Sequence, residues 1–198
     1  MMALTNLADD ELLRLAASGN EEAFSVLYQR RQGAVYRFAL QMSGSPYIAE
    51  EVTQEIFLML LNHSSSYEAS RGSLASYLYG VARRLVWRRM AQNRSHLPLA
   101  VVESEDGRMP EQLVALPQVE RDLARDEAVR SLRRAILGLP AGYREAVVLC
   151  DLHELSYSEA AQVLGCAIGT VRSRLHRARA LLAERLAAKP SAASRCLA

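Results

Sequence analysis

Residues 156–179, SYSEAAQVLGCAIGTVRSRLHRAR, constrain this chain more than any other stretch. Ser156 followed three residues later by Glu159 forms a capping box, which predicts a helix start. Ala160, Ala161 and Leu164 give that helix one small apolar face. Gly165 ends it, because glycine adopts the left-handed conformation at little cost. Thr170 is expected to cap or open a second helix. Val171, Leu175, Ala178 and Leu182 fall on one face of it at the helical period. Its opposite side carries Arg172, Ser173, His176 and Arg177, with Arg174 at the edge, placed for phosphate. Two short helices about a glycine turn, the second basic on its free side, form the helix-turn-helix pattern. A lone basic helix is usually a solvated surface; here capping box, turn spacing and basic face agree on duplex DNA.

Any nucleic-acid contact must come from local patches, because the net charge is only +2. Half of the 198 residues are hydrophobic, enough for real cores, and the Ala, Leu, Arg and Glu content favours helices. No run approaches the roughly 18 apolar residues of a membrane span. The N-terminus reaches Asp9, Asp10 and Glu11 without a basic start or an apolar core, so it is not expected to be a secretory signal. The three cysteines, Cys150, Cys166 and Cys196, are odd in number and widely spaced, which points to a reducing cytoplasm. Cys150 and His153 share a helical face, but with no second pair nearby core packing outweighs a metal site.

In chain order, a short helix is expected over residues 9–17, closed by Gly19. Asn20 caps the next, which carries Phe24, Leu27, Tyr28, Val35, Phe38 and Ala39 to about Met42. After Gly44, Ser45 and Pro46 open a third helix holding Val52, Ile56 and Leu60, with Glu50, Glu51, Gln54 and Glu55 spread along it and its end at Asn62. The turn-prone HSSSYEASRG follows, and Ser73 restarts a helix to about Asn93 with a stripe of Leu74, Leu78, Val81, Ala82 and Leu85. At 100° per residue, Arg83, Arg84 and Trp87 fall away from that stripe. Trp87 there either packs on another helix or the linker, or forms a stacking platform for bases among phosphate contacts. Residues 96–117 hold three prolines and Glu103, Glu105, Asp106 and Glu111 against Arg108, an acidic flexible linker. Helices follow at about 118–137 and 143–152, then the helix-turn-helix. The fold class is all-α: two small helical domains, 1–95 and 118–188, on that linker, with a flexible tail at 189–198. The first proteolytic cut is expected in the linker.

No GxxxxGK loop, HExxH pair or CxxC pair is present, and no spacing marks a catalytic set. The chain is therefore not read as an enzyme, and no cofactor is expected.

AEEVTQEIFLMLL (49–61), RGSLASYLYGVARR (71–84), LPAGYREAVVL (139–149) and LSYSEAAQVLGCAIGTVRSRLHRAR (155–179) together resemble the extracytoplasmic-function sigma factors of bacterial RNA polymerase, in order and spacing over nearly the whole chain. The resemblance implies docking of the third helix on the clamp helices of the polymerase's largest subunit, through Glu50, Glu51, Gln54, Glu55 and Leu58. It implies opening of the promoter −10 element by the loop and fourth helix: Asn62, Ser65, Tyr67, Arg71, Tyr77, Arg83, Arg84, Trp87 and Arg88. The helix-turn-helix would read the −35 element through Ser156, Thr170, Arg172, Ser173, Arg174, His176 and Arg177. The polymerase β flap and an anti-sigma factor are further implied partners, in the cytoplasm and without membrane insertion. The chain departs from the family at Tyr77, Arg84 and Arg88, where tryptophan, asparagine and aspartate are frequent; the arginines strengthen phosphate binding. Ala160 stands where isoleucine is frequent. A free-standing dimeric helix-turn-helix regulator and a protein-interaction module with basic faces are the competing readings. A dimeric regulator needs a dimerisation or ligand domain, whereas the N-terminal half offers a basic aromatic helix beside an acidic one.

Overall fold

The computed structural model describes residues 4–62, 67–96 and 119–187. The linker at 97–117, the tail at 189–198 and Ser65 lie outside the described residues. Eight α-helices carry the fold, and no strand occurs among the described residues. They are α1 (Asp9–Ala17), α2 (Glu21–Ser43), α3 (Pro46–Asn62) and α4 (Leu74–His96), then α5 (Val119–Leu137), α6 (Ala141–Val147), α7 (Tyr157–Leu164) and α8 (Ile168–Ala187).

Local chemistry sets these bounds. Asn20 accepts from the Ala23 amide at 2.9 Å and starts α2. Ser45 accepts from the Ile48 amide at 3.3 Å, and Pro46 takes the first position of α3. Asp9, in the first turn of α1, pairs with Arg30 at 2.8 Å and also with Arg31, tying α1 to α2. Leu12, Leu27, Phe38, Met42, Val52, Ile56, Leu60, Leu74 and Leu78 fill the first core. Val86 is fully buried while Leu85 is only partly so. Each four-residue step turns the stripe of α4 by about 40°, which brings it round to Val86.

In the second half, the last turn after α6, Val148–Leu152, widens to π geometry and ends with the His153 amide donating to the Val148 carbonyl at 3.0 Å. The capping box is present: Glu159 donates its amide to Ser156 Oγ at 3.3 Å, and Ser156 donates its amide to Glu159 Oε2 at 2.9 Å. Gly165 takes the left-handed conformation at φ 63°. The second helix starts earlier than expected, at Ile168, so Thr170 is not its cap. The Thr170 and Val171 amides both donate to the Ala167 carbonyl, at 2.9 and 3.2 Å, so Thr170 already stands inside the first turn. Leu139, Val147–Leu149, Ala160, Leu164, Val171, Leu175 and Ala178 form the second core.

The two cores meet, and their buried residues form one continuous cluster. Helices α2 and α4 face α5, α7 and the π turn. Gly44 ends α2 at φ 73°, and a Cβ there would sit 2.9 Å from Leu137 Cδ1 of α5. Arg144 donates to the Met42 carbonyl at 2.7 Å and also to the Leu137 carbonyl. His153 bridges the halves, with Nδ1 2.9 Å from the Tyr79 hydroxyl and Nε2 2.8 Å from Gln41 Oε1. The Gln41 oxygen can only accept, so Nε2 carries the proton and Nδ1 accepts from Tyr79. Both ring nitrogens are thereby occupied, which removes His153 as a metal partner of Cys150. Phe38 and Tyr79 pack against the same ring. Burial first, and Arg37 second, push the His153 imidazole down to about 4.

That depression fixes a pH dependence. The unfolded imidazole takes up a proton near pH 6.5, whereas the folded one resists until about 4. The stability it contributes is complete above pH 6.5 and is lost as the pH falls through 4. Stability measured by denaturant melts should fall more steeply from pH 7 to 4 in the parent chain than in His153→Gln. Equal slopes would contradict the bridge.

Candidate nucleic-acid interface

Packing of Val171, Leu175 and Ala178 against the second core turns the other side of α8 outward. Arg172, Ser173, His176 and Arg177 are exposed there. The Arg172 guanidinium lies 5.7 Å from the centre of the Tyr157 ring, a cation–π contact that holds it at the mouth of the helix-turn-helix. Ser173 Oγ donates to the Thr170 carbonyl at 3.0 Å. Ser156 is exposed but engaged in the capping box. Arg174 and Thr170 are half-buried; Arg174 lies along Gly142, where a Cβ would come within 3.3 Å of its Cζ. Arg172, His176 and Arg177 therefore form the free basic edge.

A second cationic surface lies on α4 and the segment before it. Arg84 and Arg88 are exposed, and Arg83, Trp87 and Tyr77 are half-buried. Arg83 Nε donates to Glu145 Oε1 at 2.6 Å, and Trp87 Nε1 donates to the same oxygen at 2.8 Å. Trp87 thus packs against the second unit instead of facing water. Arg84 lines a cleft of about 210 Å³ with Tyr67, Arg71, Tyr77, Gln162 and Val163. Tyr67 and Tyr77 pack with tilted rings, their centres 5.5 Å apart. The Tyr67 hydroxyl lies 2.6 Å from Asp10 and 3.1 Å from the Gly72 carbonyl; burial first, and Asp10 next, push it up. Arg71 pairs with Glu68 at 2.7 Å on an exposed surface. Asn62 is exposed at the end of α3.

Helix α3 presents a different surface. Glu50 and Gln54 are exposed, and Leu58 is 59% exposed. Glu51 and Glu55 are half-buried and are not free carboxylates. Arg88 and Arg89 donate to Glu55 at 2.5 and 3.0 Å, and Arg89 lies 3.7 Å from Glu51. Facing helices explain this: α4 carries its RR pair alongside the acids of α3. Burial pushes the Glu55 carboxyl up, but the bonds from Arg89 and Arg88 outweigh it together and hold the group low. Exposed Tyr47 and Leu61 extend the apolar part of this face beyond the residues read from sequence. Glu145 was missed as well; a carboxylate inside AGYREAVVL, among apolar neighbours, was the available signal.

Among the described residues no group of three or more His, Cys, Asp or Glu is placed to hold a metal. Burial first, and Asp151 second, push the half-buried Cys150 thiol up, which keeps thiolate scarce.

Residues 27–96 match Sigma-70 region 2, and residues 130–182 match Sigma-70, region 4. The chain is 35% identical to ECF RNA polymerase sigma factor SigC of Mycobacterium tuberculosis, over 89% of this chain and 93% of that protein. The chain belongs to the extracytoplasmic-function sigma factors. It is also 32% identical to SigE of Mycolicibacterium smegmatis over 86% of its own length, and spans 65% of that longer relative. Its fold is similar to the sigma factor RpoE solved in complex with the anti-sigma factor NepR from Bartonella quintana, with a TM-score of 0.60 and 28% identity over 80% of this chain and 93% of that one. As a member, the chain is a specificity subunit that directs promoter-specific initiation by RNA polymerase. The free-standing regulator and the interaction module are set aside by the presence of both sigma regions. No described helix is long and apolar enough to cross a membrane.

The exposed basic edge of α8 yields a test. Arg172→Ala should weaken duplex promoter binding by ~1–3 kcal/mol and relax preference at one base pair, as loss of a bidentate contact to guanine does. Binding titrations across promoter variants check it; an even loss over all of them would mean a phosphate contact.

Proposed function

We propose that region 2, residues 1–95, docks on polymerase core and opens the −10 element, while region 4, residues 118–188, reads the −35 element as duplex. The observation that supports this most is the separation of three surfaces on rigid helices. An acidic and apolar face lies on α3, an arginine and aromatic surface on α4, and a basic edge on α8. One carries no chemistry beyond docking, and the other two suit single-stranded and duplex DNA respectively.

Glu50, Gln54 and Leu58 are the free docking residues, with Tyr47 and Leu61 beside them. Glu51 and Glu55 reach the clamp helices only by sharing or releasing Arg88 and Arg89. On α4 and the segment before it, Arg84, Tyr77, Tyr67 and Arg71 line a cleft sized for an unstacked base, and Asn62 and Ser65 contact the same strand. Arg83, Trp87 and Arg88 follow the strand onward. In the helix-turn-helix, Arg172, His176 and Arg177 of α8 face base edges, with Ser173, Arg174 and Thr170 beside them and Ser156 at the start of α7. Region 4 also meets the β flap. The chain contributes no catalytic residue of its own and acts where polymerase does, in the cytoplasm. An anti-sigma factor is its expected inhibitor, by analogy with the RpoE–NepR pair. The acidic linker runs between the regions along the polymerase.

Runoff transcription with purified core over a promoter library tests this directly; no promoter-dependent product would overturn it. Leu58→Asp should weaken core binding by about tenfold or more with an unchanged circular dichroism spectrum, since the side chain is exposed and an interface charge there lacks a partner. Unchanged affinity would remove α3 from the docking surface.

Strand opening has its own test. Trp87→Ala should leave closed-complex formation nearly intact and reduce permanganate reactivity of −10 thymines in complexes with core. On a pre-melted bubble template much of the activity should return. A variant as active as the parent on both templates would make Trp87 a packing residue alone.

A further inference from the structure

Tyr157 opens α7 and is 39% exposed. Its backbone is fixed by the reciprocal bonds between Ser156, just before it, and Glu159, in the same first turn. Helices α7 and α8 pack on each other, with Ala160, Ala161 and Leu164 buried on one and Val171 and Leu175 on the other. A close-packed helix pair holds one geometry, so the ring at the start of α7 has a set place beside the first turns of α8. The Arg172 guanidinium carbon lies 5.7 Å from the centre of that ring.

A cation–π contact suits an arginine that must also read a base. Among the described residues no carboxylate pairs with Arg172. A carboxylate would engage its N–H donors, whereas a ring attracts the charge through its π face and engages none of them. The donor fork stays available for the O6 and N7 of a guanine. Arg179 provides the contrast. It stands roughly two turns further on, on nearly the same side of α8. It donates to Asp151 at 2.6 and 3.1 Å, so part of its fork is already engaged. Fixing a flexible side chain costs free energy at binding, and one already held by a ring has less freedom to lose.

We propose that Tyr157 is a positioning residue for −35 recognition: its ring holds the Arg172 guanidinium in place with the donors free, so that preference at the base pair read by Arg172 depends on both helices of the helix-turn-helix. This rests on the reading of Arg172 as a base contact. The ring acts through Arg172, and the Tyr157 hydroxyl has no part in it. Removing the ring therefore affects the base pair that Arg172 reads and no other. Once Arg172 is gone, the ring has nothing left to position, and the two substitutions are not additive.

The experiment uses holoenzyme reconstituted from purified core and the full chain. Binding is titrated on promoter duplexes varied one base pair at a time through the −35 element. The parent is compared with Tyr157→Leu, Tyr157→Phe, Arg172→Ala and the double variant Tyr157→Leu with Arg172→Ala. Tyr157→Leu should lower affinity for the preferred promoter by about two- to fivefold, the range of an exposed cation–π contact. It should narrow the preference at the same base pair as Arg172→Ala does. Tyr157→Phe keeps the ring and should match the parent. The double variant should bind as Arg172→Ala alone. A Tyr157→Leu loss that adds in full to that of Arg172→Ala overturns the positioning role and leaves the base contact standing. A loss that is even over all promoters and shared by Tyr157→Phe also overturns it, because the hydroxyl then contacts phosphate. An even loss in Arg172→Ala itself overturns the base reading of Arg172, and the proposal with it. If Tyr157→Leu loses helical circular dichroism, Tyr157→Gln removes the ring in its place and decides.

Discussion

One apolar cluster shared by the two halves of this sigma factor holds them together, and one buried carboxylate, Glu145, helps fix how they sit. Glu145 lies in a segment whose next four residues are all buried and apolar. An unpartnered charge there would be costly, and region 4 offers it no cation among the bonds observed. Arg83 and Trp87 of region 2 supply what it lacks. Removing one partner of a buried pair costs ~3–5 kcal/mol, less here because Arg83 keeps part of its surface in water. Replacing such a pair by apolar groups is often neutral, so net stability is a weak reason for its presence. Specific placement of one half on the other is the stronger one.

Much of the fold was legible in the sequence because it is written locally. Asn20, Ser45, the Ser156–Glu159 box, Gly44 and Gly165 mark helix ends through bonds to residues within four positions, and such bonds survive any tertiary arrangement. The stripes of α3, α4 and α8 follow from the helical period alone. The exception, Thr170, shows the limit of that logic. A good capping residue is not a cap when the helix has already begun two residues before it, at Ile168.

The surfaces were harder to read, since exposure depends on what a distant element covers. Arg172, Ser173, His176 and Arg177 were legible because α8 lies at the outside of its unit. Trp87 had two readings from sequence, and its partner Glu145 stands 58 residues away, beyond any periodicity. Glu51 and Glu55 looked free because an acidic helix gives no sign of the arginines facing it. Gly44 looked like a simple helix end, yet a side chain there would also press on Leu137 of α5.

These pairings connect the faces of α3 and α4 physically. Glu55 of α3 holds Arg88 and Arg89 of α4, while Arg83 and Trp87 of the same helix hold Glu145 of region 4. A partner that takes the α3 carboxylates leaves Arg88 and Arg89 without their counter-charge, and the cationic surface of α4 becomes more attractive to any anion nearby. The coupling has to run both ways: an anion held by Arg88 and Arg89 frees Glu51 and Glu55 as much as a cation on α3 frees the arginines. If α3 docks on polymerase and α4 takes the −10 strand, the two events therefore support each other through α4 itself.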